Sequence, residues 1–245
     1  MKTLDEKIKL EKPLLIEAKK ICIGGDTHIP FQDNDLMREM INTCQDRKIR
    51  SIIVNGDFID CKSISDFIDV QQTELTFQDE MEEAEKVLNL LCKNFDNVYF
   101  INSNHENRFA RKMEGNADIR DLFKMFDGSL KQGEDYVVSI YDHCILNNSW
   151  YICHPSIYSS VPLSLPRILS SKYQMNVVCG HLHRLAVGKD ISNKFYCIES
   201  GGLFDPNKLE YLCKTTKNPV QTSGYVIIED DKPELCFGES ESCFK

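Results

Sequence analysis

Histidines and carboxylates that could bind a metal ion follow apolar runs at several points in the chain. Of the six histidines, five lie just beyond such a run and beside other potential ligands. The first run, residues 21–30, contains Asp26-Thr27-His28, and two residues so spaced in extended backbone project to the same side. Only His143 lies outside the pattern, and we interpret it as structural. The candidate ligands are Asp26, His28, Asp57, Asn104, His154, His181 and His183, with His105 beside them.

Imidazole nitrogens, carboxylate oxygens and an amide oxygen, without any thiolate, suit borderline divalent cations such as manganese, iron or zinc better than calcium. A single histidine of this kind is usually a satisfied polar group near the core, but five in ordered succession are hard to explain in that way. Because two acids neutralise only part of the charge of a pair of divalent ions, the site should be locally positive. We therefore expect it to suit a phosphate.

The composition is that of an ordinary globular protein of 245 residues, with 42% hydrophobic residues, 27% charged residues and a net charge of −9. The length predicts one domain, residues 1–245, with the motifs in a core at 21–200. An acidic chain is a poor candidate for binding long nucleic acid over its general surface. Residues 1–20 do not resemble a signal peptide, and no apolar run reaches membrane-spanning length, so we expect a cytoplasmic protein without a membrane partner. The 11 cysteines contain no Cys-x-x-Cys pair, which favours a reducing compartment.

Apolar strands alternate with amphipathic helices in the first half of the chain. The pattern predicts strands at 21–25, 51–55 and 98–101, with helices at 33–50 and 76–95 between them. Polar clusters follow each strand, and the alternation predicts parallel strands joined by right-handed crossovers. The second half is predicted to be richer in strands, at 136–141, 144–146, 150–153, 176–179, 185–189, 194–198, 224–229 and 234–237. Shorter helices are predicted at 108–113, 117–126 and 165–173, and residues 201–223 are predicted to form a long surface loop or lid.

The ordered motifs resemble those of the calcineurin-like metallophosphoesterases over residues 21–183. The matching blocks are Asp26-x-His28, Gly56-Asp57, Asn104-His105-Glu106, His154 and Gly180-His181-x-His183. The chain departs from the family pattern at Ser103, where the family usually has glycine. If this position needs a positive φ, serine would strain the loop that carries Asn104 and His105. We expect a slightly altered loop and a retained site.

The resemblance implies a four-layer α/β/β/α sandwich with two mixed β-sheets. It also implies two divalent transition metal ions, with manganese favoured over iron or zinc. One ion would take Asp26, His28 and His183, the other would take Asn104, His154 and His181, and Asp57 would bridge them. A hydroxide between the ions would attack the phosphorus atom.

The resemblance further assigns catalytic roles around His105, which would protonate or stabilise the leaving oxygen. Glu106 would hold the His105 ring in position. Arg108 is either a bidentate contact to the substrate phosphate or a surface cation. Arg184 is a weaker candidate for a substrate contact, and Asp60 is expected to hold a loop or a ligand.

These features together predict a metal-dependent phosphoric ester hydrolase. A phosphodiester or nucleotide substrate is favoured, and the substrate would be a small phosphate ester, a nucleotide or a nucleic-acid end. The alternatives are a phosphomonoesterase or a protein phosphatase. From a different class, the alternative is a non-catalytic binding scaffold, because the same fold resembles a trafficking subunit whose metal site has decayed. Every ligand position is filled in this chain, which favours the enzyme, and the sequence points to no particular protein partner.

Overall fold

The computed structural model describes residues 11–66, 74–126, 128–209 and 221–238. Within these ranges the strands are β1 (Leu14–Ile16), β2 (Lys20–Gly24), β3 (Ser51–Val54), β4 (Asn97–Phe100), β5 (Val137–Val138), β6 (His143–Leu146), β7 (Trp150–Cys153), β8 (Asn176–Cys179), β9 (Leu185–Lys189), β10 (Tyr196–Ser200), β11 (Gly224–Glu229) and β12 (Lys232–Phe237). The α-helices are α1 (Asn34–Asp46), α2 (Phe77–Asn94), α3 (Glu106–Lys112), α4 (Ile119–Phe123) and α5 (Ser164–Tyr173), and a short 3₁₀ helix spans Lys62–Ile64.

The strands form two mixed sheets of six strands each in the described part of the chain. The first sheet has the order β12-β11-β2-β3-β4-β5, and its strands from β2 to β5 are parallel. The second sheet has the order β1-β6-β7-β8-β10-β9, with parallel pairing of β7 with β8 and of β8 with β10. The predicted parallel arrangement of the first three strands and the predicted mixed sheets are therefore confirmed.

Side-chain alternation along β2 shows how the layers are stacked. Ile21 and Ile23 point into a core shared with Val178 of the second sheet, whereas Cys22 points to the opposite face, where α1 and α2 pack. On the outer face of the second sheet, Leu165 of α5 belongs to a third apolar cluster. Because successive residues of a strand face opposite sides, one short strand contributes to two cores. The predicted four-layer sandwich is confirmed.

Capping interactions fix the starts of the two longest helices. The Asp33 carboxylate accepts hydrogen bonds from the first-turn amides of α1, and Thr76 forms a capping box with Asp79 at the start of α2. The helix predicted at 33–50 ends earlier, at Asp46, because the chain turns there and places Ile49 in the core. The helix predicted at 76–95 agrees with α2 within one residue at each end.

Other boundaries differ from the prediction where local signals are weak. The strand β1 was not predicted, because three residues in a charged segment give no clear pattern; it pairs in parallel with β6. The strand predicted at 136–141 is only two residues long, and the helix predicted at 117–126 shortens to α4. The description of 201–223 as a surface loop is wrong for residues 201–204, which are buried. Residues 210–220 of that prediction lie outside the described ranges.

None of the helices in the described ranges combines the length and apolar character needed to cross a membrane.

Candidate metal centre

The predicted ligands follow the carboxyl ends of five strands. In the first sheet, Asp26 and His28 follow β2, Asp57 follows β3, and Asn104 follows β4. In the second sheet, one histidine follows β7 and two follow β8; these are His154, His181 and His183. Carboxyl ends of neighbouring parallel strands meet at one edge of a sheet. The structure places these edges of the two sheets side by side and brings all seven side chains together.

One group of donor atoms comprises Asp26, His28, Asp57 and His183. Their potential ligand atoms all lie within 4.8 Å of one another, and all four residues are buried. His183 Nε2 lies 3.0 Å from His28 Nε2 and 3.1 Å from Asp26 Oδ1. These distances leave the four side chains facing a common point.

A second group adjoins the first and shares its Asp57 carboxylate. Potential ligand atoms of Asp57, His154 and His181 lie within 4.8 Å of one another. Asn104 Oδ1 lies 3.1 Å from His154 Nε2. These two sets of nitrogen and oxygen donors therefore adjoin each other and share one carboxylate.

The two oxygens of the Asp57 carboxylate have different surroundings. Oδ1 accepts a hydrogen bond from the Ser103 hydroxyl and a longer one, of 3.3 Å, from the His105 amide. Oδ2 is buried and has no hydrogen-bond partner among the described residues, although His154 Nε2 lies 3.2 Å away. A buried oxygen without a partner costs about 1–3 kcal/mol. A cation would relieve this cost, and the mixed nitrogen and oxygen donors fit borderline divalent metal ions.

Two of the imidazoles are oriented by acceptors on their outer side. Asp60 Oδ2 lies 2.9 Å from His28 Nδ1, and the carbonyl oxygen of Asn55 lies 2.8 Å from His154 Nδ1. Because these oxygens only accept, Nδ1 of each ring donates, and Nε2 is the nitrogen that faces the centre. Metal-binding histidines usually have such an outer acceptor.

The acids of the centre attract positive charge. Burial alone would raise the pKa of Asp57, but the imidazoles of His154 and His28 hold that pKa well below its usual range. Burial likewise opposes protonation of His154, but Asp57 and Asp26 raise its pKa to about 10. A divalent cation would occupy the same negative field and displace this proton.

Two glycines make room for the His154 ring. A Cβ atom at Gly56, where φ is +76°, would lie 2.4 Å from His154 Nδ1. At Gly180 it would lie 2.8 Å from the same nitrogen and 2.7 Å from the carbonyl oxygen of Asn55. The glycines of the Gly-Asp and Gly-His motifs are therefore required by close approach as well as by backbone conformation.

The expected contact between Glu106 and the His105 ring is not formed. The Glu106 carboxyl group bonds to the Ile59 amide at 2.9 Å and to the Ser103 hydroxyl. The ring is held instead by the carbonyl oxygen of Asp60, 2.8 Å from His105 Nδ1. These two bonds hold the Glu106 carboxyl group away from the His105 ring.

Arg108 lies beside His105. Its Nη1 donates to the Asp60 carbonyl oxygen at 2.8 Å, and its Nη2 lies 3.3 Å from His105 Nε2. The guanidinium group is mostly buried, which argues against the surface-cation interpretation. Burial lowers the pKa of His105 to about 4, so the ring is neutral with its proton on Nδ1.

Arg184 does not line the centre. It is buried in a two-pronged ion pair with Glu199, at N–O distances of 2.7 Å and 3.0 Å. It also donates to the carbonyl oxygens of Ser159 and Ser160. The expectation of a substrate contact is wrong because this side chain anchors the loop that follows His154.

Two residues near the centre were not assigned a contact from sequence. The Phe204 ring lies 4.6 Å from the His183 ring and 5.5 Å from the His28 ring, measured between centroids. Its position in a segment without periodicity gave no signal. Ser103 has no positive φ, so the expected strain is absent, and its hydroxyl bonds within the centre instead.

Fold and site together define a two-sheet α/β protein with a histidine and aspartate centre where the two sheets meet. The sequence matches the profile of the family described as Calcineurin-like phosphoesterase over residues 19–234. The chain belongs to this family, and the resemblance seen in its motifs is confirmed.

Similar solved structures include proteins from two organisms. A single-mutant form of Vps29 from Entamoeba histolytica is 12% identical, with a TM-score of 0.45, and the match covers 90% of this chain and 99% of the other. Vacuolar Protein Sorting 29 from Cryptosporidium parvum is 14% identical, with a TM-score of 0.46, covering 91% and 98%. The comparison with curated proteins gives no match.

Proposed function

We propose that the protein is a dinuclear metal-dependent phosphoesterase that hydrolyses a phosphate ester. The observation that carries this proposal is the Asp57 carboxylate, which two adjoining groups of donor atoms share and whose Oδ2 has no hydrogen-bond partner among the described residues. Membership of the phosphoesterase family supports the same reaction. Asp57 could serve two ions, because its carboxylate belongs to both groups of donor atoms.

When bound, two such ions lower the pKa of a coordinated water toward about 7 and stabilise an in-line phosphoryl displacement. Manganese is favoured, with iron or zinc as alternatives, because the donors are imidazole nitrogens and hard oxygens. One ion would be held by Asp26, His28 and His183, the other by Asn104, His154 and His181, and Asp57 would hold both.

His105 and Arg108 are the groups proposed to act on the substrate. The neutral His105 ring accepts at Nε2, where Arg108 Nη2 lies 3.3 Å away. Arg108, and not the neutral His105 ring, is therefore the positive group that would bind a phosphate oxygen or a leaving oxygen. His105 orients that charge, and it can transfer a proton only after taking one up at Nε2.

A phosphodiester or nucleotide is the favoured substrate class, in the form of a small ester, a nucleotide or a nucleic-acid end. A long nucleic acid would need a basic track. Arg184 is engaged in an internal ion pair, and Lys112 pairs with Asp66 on the surface. The overall charge of −9 also disfavours such a track. A cytoplasmic location remains a prediction from the sequence.

The test is hydrolysis of a bis-aryl phosphodiester and the matching aryl monoester, with Mn²⁺ and with EDTA. Asp57→Asn removes the shared negative charge with little change in shape, and Asp35→Asn, on the exposed start of α1, is the matched control. We expect diester cleavage that requires Mn²⁺, is lost in Asp57→Asn and persists in Asp35→Asn.

Cleavage of the monoester alone would identify a phosphatase instead. Full activity in Asp57→Asn would contradict the proposed centre. Protein that holds two metal ions yet cleaves neither compound would favour the non-catalytic scaffold.

A further inference from the structure

Ser103 is one departure of this chain from the family motif, and its side chain is nearly fully buried, at 1% exposure. The hydroxyl group donates its one proton to Asp57 Oδ1, and its oxygen also contacts Glu106 Oε2. It also accepts a hydrogen bond of 3.2 Å from the His105 amide. The Ser103 oxygen is therefore held in place by three polar neighbours at a buried position.

The outer side of this network is itself anchored. Glu106 Oε1 accepts a hydrogen bond of 2.9 Å from the Ile59 amide, which belongs to the same loop as Asp57. The Ser103 backbone is also held in place, because its amide donates a hydrogen bond of 2.9 Å to Asn102 Oδ1. Ser103 is therefore held between the loop after β3 and the loop after β4.

The hydroxyl makes the two oxygens of Asp57 different. Oδ1 is turned toward Ser103, and Oδ2 is left facing His154 and His28, at 3.2 Å and 3.7 Å from their Nε2 atoms. Glycine, which the family usually has at this place, could not make this contact. The remaining bond to Oδ1 would be the longer one, of 3.3 Å, from the His105 amide.

We propose that Ser103 is a positioning residue that aims Oδ2 of Asp57 at the two groups of donor atoms and so strengthens binding of the metal pair. The proposal rests on the dinuclear centre described under the proposed function. Outer-shell partners of this kind typically contribute about 10–100-fold to metal affinity. We expect the pair, more than a single ion, to depend on Ser103, because Asp57 is the residue that the two groups share.

The experiment compares Ser103→Ala and Ser103→Gly with the full-length wild-type chain. Mn²⁺ binding to metal-stripped protein is measured by calorimetry, and the electron paramagnetic resonance spectrum distinguishes a coupled Mn²⁺ pair from isolated ions. Ser170→Ala is the matched control. Ser170, in α5, is also buried, and its hydroxyl donates to the carbonyl oxygen of Met175 in the turn after that helix. Urea unfolding of each metal-free variant verifies that it is folded.

We expect both Ser103 variants to bind Mn²⁺ about 10–100-fold more weakly and to show the spectrum of isolated ions at concentrations where wild type shows the coupled pair. Ser170→Ala should match wild type. A folded Ser103→Ala or Ser103→Gly protein with wild-type affinity and a coupled spectrum would overturn the proposal.

Failure of the proposed function gives a different result. If wild-type protein binds the Mn²⁺ pair but hydrolyses neither aryl ester, the proposed enzymatic function is wrong. The effect of Ser103 on Mn²⁺ binding would still be measured. Intact hydrolysis and unchanged Mn²⁺ binding in Ser103→Ala would contradict the positioning role of Ser103 and leave the proposed function standing.

Discussion

Glu80 on α2 allows a sharp test of the energetics behind the ligand loops. Its side chain is fully buried, at 0% exposure, and accepts hydrogen bonds of 2.7 Å from both the Lys62 amide and the Ser63 hydroxyl. These bonds fasten the 3₁₀ helix that follows the Asp57 loop. Burial, with a smaller contribution from Asp60, raises the pKa of Glu80 to about 7 despite the two bonds.

The raised pKa sets the sign of a pH dependence. Between 4.5, the ordinary value for glutamate, and about 7, the folded protein binds more protons at Glu80 than the unfolded chain does. The free energy of unfolding therefore falls as pH rises through this window. The whole shift corresponds to about 3 kcal/mol, of which about 2.5 kcal/mol is lost between pH 5 and pH 8.

Glu80→Gln isolates this effect, because the amide keeps an acceptor oxygen but does not titrate. We expect the stability of Glu80→Gln relative to wild type to increase by about 2.5 kcal/mol from pH 5 to pH 8. Urea unfolding of metal-free protein at the two pH values measures the difference. Glu82→Gln, on the exposed face of the same helix, makes the same charge change and should show no such trend. A relative stability of Glu80→Gln that stays within about 0.5 kcal/mol across this range would refute the reasoning.

Two further outcomes follow from the buried charges. Glu199→Ala leaves the Arg184 guanidinium buried without its carboxylate and removes the acceptor of the Leu163 amide. Urea unfolding should therefore show that the free energy of unfolding falls by about 3–5 kcal/mol. A decrease of less than about 1 kcal/mol would be typical of an exposed ion pair and would contradict the burial of this one. Mn²⁺ at a hundred times its dissociation constant should raise the free energy of unfolding by about 2.7 kcal/mol for each ion bound, because the ions bind the folded centre. EDTA should remove this gain, Asp57→Asn should lack most of it, and a thermal midpoint that is the same in Mn²⁺ and EDTA would contradict the centre.

The positions of the candidate ligands were predictable because each is tied to a strand end. An apolar run that ends in a polar residue specifies both a buried strand and the edge where its side chains appear. Asp26, Asp57 and Asn104 therefore fall at one edge of the first sheet once their strands are parallel. To place His154 and His181 beside these residues, one must know that the two sheets stack. The family resemblance implied this stacking, but periodicity alone did not.

The contacts that could not be predicted are those made between distant segments. Arg184 directly follows a candidate ligand and looked like a substrate contact, but Glu199 on β10 determines its position. Phe204 and Ser103 reach the centre through loop conformations that no periodic pattern specifies. In each case the deciding partner belongs to another segment of the chain, so the local sequence carries no signal for it.

The backbone of the centre explains why its stability and its chemistry oppose each other. Five of the candidate ligands have left-handed backbone conformations, with φ of 47° at Asp26, 49° at His28, 46° at Asp57, 70° at His181 and 52° at His183. This conformation costs a non-glycine residue about 1–2 kcal/mol. Glycine would remove the strain at any of these positions, but it would also remove the donor atom. Until a cation is bound, the surrounding cores must therefore offset both the strained turns and the unpartnered Asp57 oxygen. We expect metal binding to increase the folding stability of this protein for that reason.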